Sequence, residues 1–343
     1  MGYSVKRKRN LDIIKLICAF FVVFIHMPFP GIAGTVVMAI GRVAVPAFFM
    51  ITGFFYRTVK ENGREKQQLL KVLSLTLVSN LLYFIWGILL SFLTSSPAEY
   101  IKQTVNDRAI FNFLIWNESP FGVHLWYLGS LLFALVILFF LGKNKKLFSL
   151  SYWLIPILLT GDLVLGKYSL LLWGREFDLL LVRNFLFVGL PYILLGAFLA
   201  EHMVHLETVF GKRKWLLVLL AVLFTVTSLL ERWLLSNLGM NAAREHYLST
   251  TFLACTVVIL AVVAPDVKEN NILAKLGKAT STGVYIFHMI MKDVLAILLT
   301  GLFGSIYPWV RPICVFVASV IFALVLKTAM GWLKQKKQEK VLC

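Results

Sequence analysis

Runs of about 17–25 predominantly apolar residues recur along the whole chain. They lie near 11–28, 36–56, 69–93, 124–141, 150–166, 183–200, 214–235, 247–264, 282–303 and 310–331. At 1.5 Å per residue, a helix of that length crosses a hydrocarbon core of about 30 Å. None of the runs shows the apolar/polar alternation of a transmembrane strand. The pattern predicts an all-α polytopic membrane protein with about ten transmembrane helices.

The polar connections differ in charge. Basic residues gather at Lys6 to Arg9, at Arg57, Lys60, Arg64, Lys66 and Lys71, and at Lys143, Lys145 and Lys146. They gather again at Lys212 to Lys214, at Lys268, Lys275 and Lys278, and in the tail at Lys334, Lys336, Lys337 and Lys340. Every second connection is basic, so the positive-inside rule predicts both termini in the cytoplasm. Two of the opposite connections, 94–123 and 167–182, are long and mix aromatic with charged residues; they either lie on the membrane surface or roof a cavity. No soluble domain and no transporter-type repeat is visible, which predicts a single membrane domain over 1–343 ending in a basic cytoplasmic tail, 332–343.

Composition agrees. Of 343 residues, 59% are hydrophobic and 15% charged, against roughly 45–50% and 25% in soluble domains. The net charge of +17 falls mostly on connections beside membrane ends, so it calls for the lipid bilayer as partner and for no nucleic acid. Four scattered cysteines, Cys18, Cys255, Cys314 and Cys343, show neither a disulfide framework nor zinc-ligand spacing, and no metal site is expected. The opening "KRKRN" before an apolar run imitates a secretion signal, but no small-residue cleavage site follows. The first run is therefore read as a retained membrane helix.

That run, "LDIIKLICAFFVVFIH", carries Asp12, Lys15 and His26, although ionisable groups are costly in a bilayer and mark functional sites. Lys15 and His26 are eleven residues apart, three turns plus about 20°, so they share one helix face about 16 Å apart along the axis. Asp12 is one turn from Lys15 and neutralises it. Such a stripe faces protein or a cavity. Candidate partners at the predicted outer ends are Arg42, His124, Asp162 and Arg183, while Tyr285, His288 and Lys292 share one face of the ninth run. Structural alternatives stand beside each: Arg183 snorkelling to head groups, His124 in an aromatic belt, His288 and Lys292 as a buried structural pair.

These residues resemble the acyltransferase family 3 membrane proteins, whose first helix carries Leu-Asp, then Arg, ten residues and His. Here Leu11, Asp12 and His26 match, and Lys15 stands in place of the Arg. The segments "GRVAVPAFFMITGFF", "HLWYLGSLL" and "RNFLFVGLPYILLGAFL" resemble the family's second, fourth and sixth helices. The resemblance implies a multi-pass protein of a bacterial cell membrane, moving an acyl group, commonly acetyl from acetyl-CoA, to a hydroxyl of a cell-envelope glycan or small exported acceptor.

On that reading His26 is the catalytic base or a transient acyl carrier, and Arg42 stabilises the oxyanion. Asp12, Lys15, Arg57, Lys60 and Arg64 form the acyl-CoA site, its four cations meeting the phosphates, while His124, Asp162 and Arg183 serve the acceptor. Lysine at position 15 is a departure that matters, because an ammonium lacks the rigid fork with which Arg grips phosphate. The wording of "GRVAVPAFFMITGFFYR" and "HLWYL" also resembles the membrane part of vancomycin-resistance serine racemases, which implies L-serine uptake as the alternative. In that case the tail "KQKKQEKVLC" is either a natural end or a junction to a cytoplasmic partner domain.

Overall fold

A computed structural model of the chain describes residues 8–342, with side chains through Lys336; the N-terminal basic residues Lys6 and Arg7 and the side chains of the tail beyond Lys336 lie outside that description. Among the described residues every regular element is helical. In chain order they are α1 (Arg9–His26), α2 (Gly31–Gly41), α3 (Ala44–Glu61), α4 (Glu65–Thr94), α5 (Pro97–Thr104) and α6 (Asp107–Trp116). Then come α7 (Trp126–Leu141), α8 (Lys145–Leu150), α9 (Leu154–Asp162), α10 (Ser169–Trp173), α11 (Leu179–Val182) and α12 (Leu190–Glu201). The chain continues with α13 (Met203–Phe210), α14 (Lys214–Asn237), α15 (Leu248–Val263), α16 (Ile272–Phe303) and α17 (Tyr307–Leu342).

Among the described residues, seven stretches are long and apolar enough to cross a membrane, the last of them, Ile272–Lys336, containing both α16 and most of α17. The 18 residues of α1 carry Arg9, Asp12 and Lys15, and α15 is apolar but only 16 residues long. A second signature of the membrane is the outward face of α4. Leu70, Leu73, Leu77, Leu81, Ile85, Leu89 and Phe92 recur at three- and four-residue spacing and are all exposed. A contiguous apolar stripe of that size on a water-facing surface would associate, whereas lipid accommodates it.

Several predicted spans are broken rather than continuous. The run near 36–56 divides between α2 and α3 at Arg42 and Val43. The run near 150–166 consists of a 3₁₀ turn, α9 and a π-helical turn, Leu163–Lys167, that kinks at Gly166 (φ −100°, ψ −108°). The run near 183–200 opens with extended Asn184, followed by a second π turn, Phe185–Gly189, and then α12. Asn184 sustains that break: its Oδ1 accepts from the amides of Leu186 and Phe187 at 2.9 and 3.1 Å, and its Nδ2 donates to the carbonyls of Leu180 and Leu181. Irregular backbone at membrane depth is tolerated only where such partners or a cavity satisfy it. The long connection 94–123 holds α5 and α6, capped by the side chains of Ser96 and Asn106.

The chain divides into two compact units. The larger spans 45–263, from α3 to α15. Its centre holds Phe49, Met50, Phe54, Tyr56 and Tyr192, none more than 2% exposed. There α3 and α12 approach backbone to backbone: a Cβ on Gly53 would overlap the Ile193 carbonyl, and one on Gly196 would overlap that of Met50. The smaller unit joins 8–44 with 264–343, that is α1, α2, α16 and α17. Its helices pack by the same device. Gly277 of α16 lies against the Asp12 carbonyl of α1, and Gly283 against Ala323 of α17. Phe20 meets Phe316 and Phe287 meets Phe322 edge to face, at 5.2 and 4.8 Å between ring centres.

Candidate functional site

In the smaller unit, α1 carries Asp12, Lys15 and His26 on one uninterrupted helix. Its start is fixed by Asn10, whose amide donates to Asp266 Oδ1 (3.1 Å) and whose Nδ2 donates to the Pro265 carbonyl (3.0 Å). Asp12 is buried, and Lys15 Nζ donates to its Oδ1 at 3.2 Å, so this one-turn pair compensates itself.

At the other end of α1, His26 stands beside His288 of α16, ring centres 5.1 Å apart. His288 is fully buried, and its Nδ1 lies 2.8 Å from the Tyr285 carbonyl and 3.1 Å from that of Val284. Carbonyls only accept, so Nδ1 bears the hydrogen and Nε2 keeps its lone pair. The register that put Tyr285 and His288 on one face of α16 thus brings His288 to His26. Lys292, further along α16, pairs with its neighbour Asp293 at 3.4 Å. Arg42 follows α2, and the residue before it, Gly41, lies against Phe21 and Ile25. The crossing of α2 over α1 therefore falls directly beside both Arg42 and His26.

In the larger unit, α3, α8 and the end of α12 border an open cavity of about 660 Å³. Arg57, Lys60, Lys145 and His202 line it, beside Tyr56 and Phe148 stacked 6.2 Å apart at 13°. Arg57 is held by Glu61 (2.9 Å), while Lys60 donates to the Gly142 carbonyl and lies over the Phe148 ring at 5.4 Å. Arg64 is exposed at the start of α4 and does not line this cavity.

The same unit contains a buried polar cluster built at its helix breaks. Asp162 ends α9 just before the first π turn, and its Oδ2 lies 2.9 Å from Nδ1 of His246, in the non-helical segment before α15. Both residues are buried, and Tyr192 packs edge-on to His246 with ring centres 5.8 Å apart. The segment bearing His246 is held from residues 167 and 176. Lys167 donates to the Ala242 carbonyl (2.8 Å) and Asn241 Oδ1 (3.3 Å), and Glu176 accepts from the Ala243 amide (2.8 Å) and from Arg244 (3.0 Å).

Arg183, just before the second break, does not reach outward as a snorkelling residue would. Its side chain is 10% exposed, lies over Trp126 at 5.6 Å, and pairs with Glu118 (3.6 Å) and Glu245 (3.7 Å). Burial holds the Glu118 carboxyl above its ordinary range, an effect Arg183 offsets only in part. His124 is buried against Tyr83 at 4.6 Å, inside the unit rather than in an interfacial belt. His246, Glu118, Glu245 and Tyr192 escaped the sequence reading. The one signal was the charge-rich "REH" directly before an apolar run.

This architecture of broken, glycine-packed helices carrying buried histidines is that of a multi-pass membrane protein with an internal polar site. The acyltransferase family 3, described as an acyltransferase domain, matches residues 8–328, and the chain belongs to that family. An amino-acid racemase of Enterococcus faecalis is 32% identical over 148 residues, which cover 38% of this chain and 20% of that protein. The match thus spans about a fifth of the racemase's length. No solved structure matches the chain.

Proposed function

We propose that this protein is a membrane O-acyltransferase of the bacterial cell envelope. It takes an acyl group, acetyl in the simplest case, from cytoplasmic acyl-CoA and passes it to a hydroxyl of a glycan or small exported acceptor. The observation that carries the reading is the placement of His26, in a chain of the acyltransferase family, beside a second imidazole whose tautomer is fixed. The thioester supplies the activated acyl carbon. His26 accepts the proton of the attacking hydroxyl as the new O–C bond forms and the C–S bond breaks, and returns it to the departing thiolate. Alternatively His26 is itself acylated first, dividing the transfer into two steps. Arg42, at the α1–α2 crossing, supplies positive charge to the developing oxyanion.

The donor's anionic end is assigned unit by unit. In the larger unit, the 660 Å³ cavity combines Arg57 and Lys60 with an aromatic platform, which suits phosphates joined to a purine. In the smaller unit, Lys15, balanced by Asp12, offers a further cation. Arg64 contributes only long-range attraction. His124, Asp162 and Arg183 are assigned to the acceptor. The charge alternation of the connections supports ten spans with cytoplasmic termini.

The partial similarity to a racemase favours one rival reading, a membrane module for L-serine uptake. Titration calorimetry of the purified chain separates the two. Saturable acetyl-CoA binding that weakens severalfold in Arg57→Gln and Lys60→Gln is the expected result. L-serine binding without acetyl-CoA binding would overturn the acyltransferase reading.

A further inference from the structure

Within the larger unit, Asp162 and His246 form an acid–imidazole dyad of the kind that prepares a histidine to meet a ligand. With Asp162 ionised its carboxylate only accepts, so at 2.9 Å the imidazole Nδ1 donates to it, and the ring in its neutral form then presents the Nε2 lone pair on the far side. That Nε2 is buried and has no hydrogen-bond partner among the described residues. His246 itself is 3% exposed. An unfilled acceptor at this depth is costly, and a persisting one points to a group supplied from outside.

The surroundings define that group. The neighbouring charges are already engaged: Arg183 by Glu118 and Glu245, Arg244 by Glu176, Lys167 by the Ala242 carbonyl and Asn241. Left open are His246 Nε2, an acceptor beside the Tyr192 ring, and the Nε–H donors of Arg183 and Arg244, whose guanidinium charges are already paired; a hydroxyl, which both donates and accepts, matches that set. A charged ligand would have to break an existing pair, whereas an O–H donor satisfies the site as it stands. The backbone agrees, since the break at Leu163–Lys167 follows directly on Asp162 and the one at Phe185–Gly189 begins two residues after Arg183. Such π turns are frequent at functional sites. The non-helical 241–247 segment is held at several points, which fixes His246 relative to Asp162.

We propose that Asp162 and His246 form the binding site for a neutral, hydroxyl-bearing ligand, whose O–H donates a hydrogen bond to His246 Nε2. This rests on the acyltransferase reading for the ligand's identity as acyl acceptor. Asp162 is the positioning residue, holding the tautomer that makes Nε2 an acceptor.

The test uses the full chain in lipid nanodiscs with ¹⁵N-labelled histidine, and the His246 resonances are identified by their loss in His246→Gln. The expected spectrum shows the neutral Nδ1–H form, and titration with N-acetylglucosamine or glycerol moves the Nε2 resonance saturably. Asp162→Asn is isosteric but offers an amide donor to Nδ1, so it should invert the tautomer and weaken polyol binding about tenfold or more. Acetyl-CoA binding measured on the same samples should be unchanged. Nε2 resonances unmoved by either polyol, or moved only by zwitterionic glycine, would overturn the proposal. Because this readout needs no turnover, it stands apart from the acyltransferase reading, which fails instead if the parent chain binds no acetyl-CoA.

Discussion

His26 lies at the end of a helix whose other polar pair is about three turns away, so its removal should leave both the fold and the proposed phosphate contacts intact. In His26→Ala, acetyl transfer measured with labelled acetyl-CoA should fall about 10²–10⁴-fold, while melting temperature and acetyl-CoA affinity stay near the parent values. Transfer at the parental rate would pass the role to His288. Two histidines differ in legibility: His26 was visible because an imidazole inside an apolar run violates the run's own composition, and helical register tied it to Lys15. His246 was not. It stands in "NAAREHY", where no periodicity assigns a face, and its partner Asp162 is 84 residues away in sequence. Register relates residues on one helix; it says nothing of which distant carboxylate will meet them. Asp162, His124 and Arg183 were therefore singled out as ionisable residues near apolar runs, without the contacts that hold them.

Hydropathy located nearly every long helix, because span length follows from bilayer thickness and needs no knowledge of neighbours. It missed the breaks in three of them, because a π turn or an extended residue leaves the apolar content of a run unchanged. Only the side-chain amide of Asn184, read with its four backbone partners, shows why the chain opens there. The helix contacts themselves depend on particular glycines, and two of them make a controlled pair. Gly277 presses on the Asp12 carbonyl, so Gly277→Val must separate α1 from α16 and should cost about 1–3 kcal/mol or more. At Gly301 a Cβ would meet no atom within 4 Å, so valine there should be accepted with little change. Thermal melts of both variants in the same detergent test this. Equal melting temperatures would mean that the close approach at Gly277 bears no energy.

Across the whole chain, the distribution of basic connections makes one claim about orientation. A cysteine placed between Arg57 and Lys66 in an otherwise cysteine-free chain should resist impermeant maleimide in intact cells and react after permeabilisation. Labelling from outside would invert the assigned topology. The exposed face of α4 carries a further implication. Its apolar stripe, from Leu70 to Phe92, extends about 33 Å along the helix, a few ångströms more than an average hydrocarbon core. The helix must lean, or the lipid around it must stretch, and either response costs a fraction of a kcal/mol per ångström. Bilayer thickness is thus a variable of this protein's energetics, and membranes that are thicker than average would hold α4 with the least distortion.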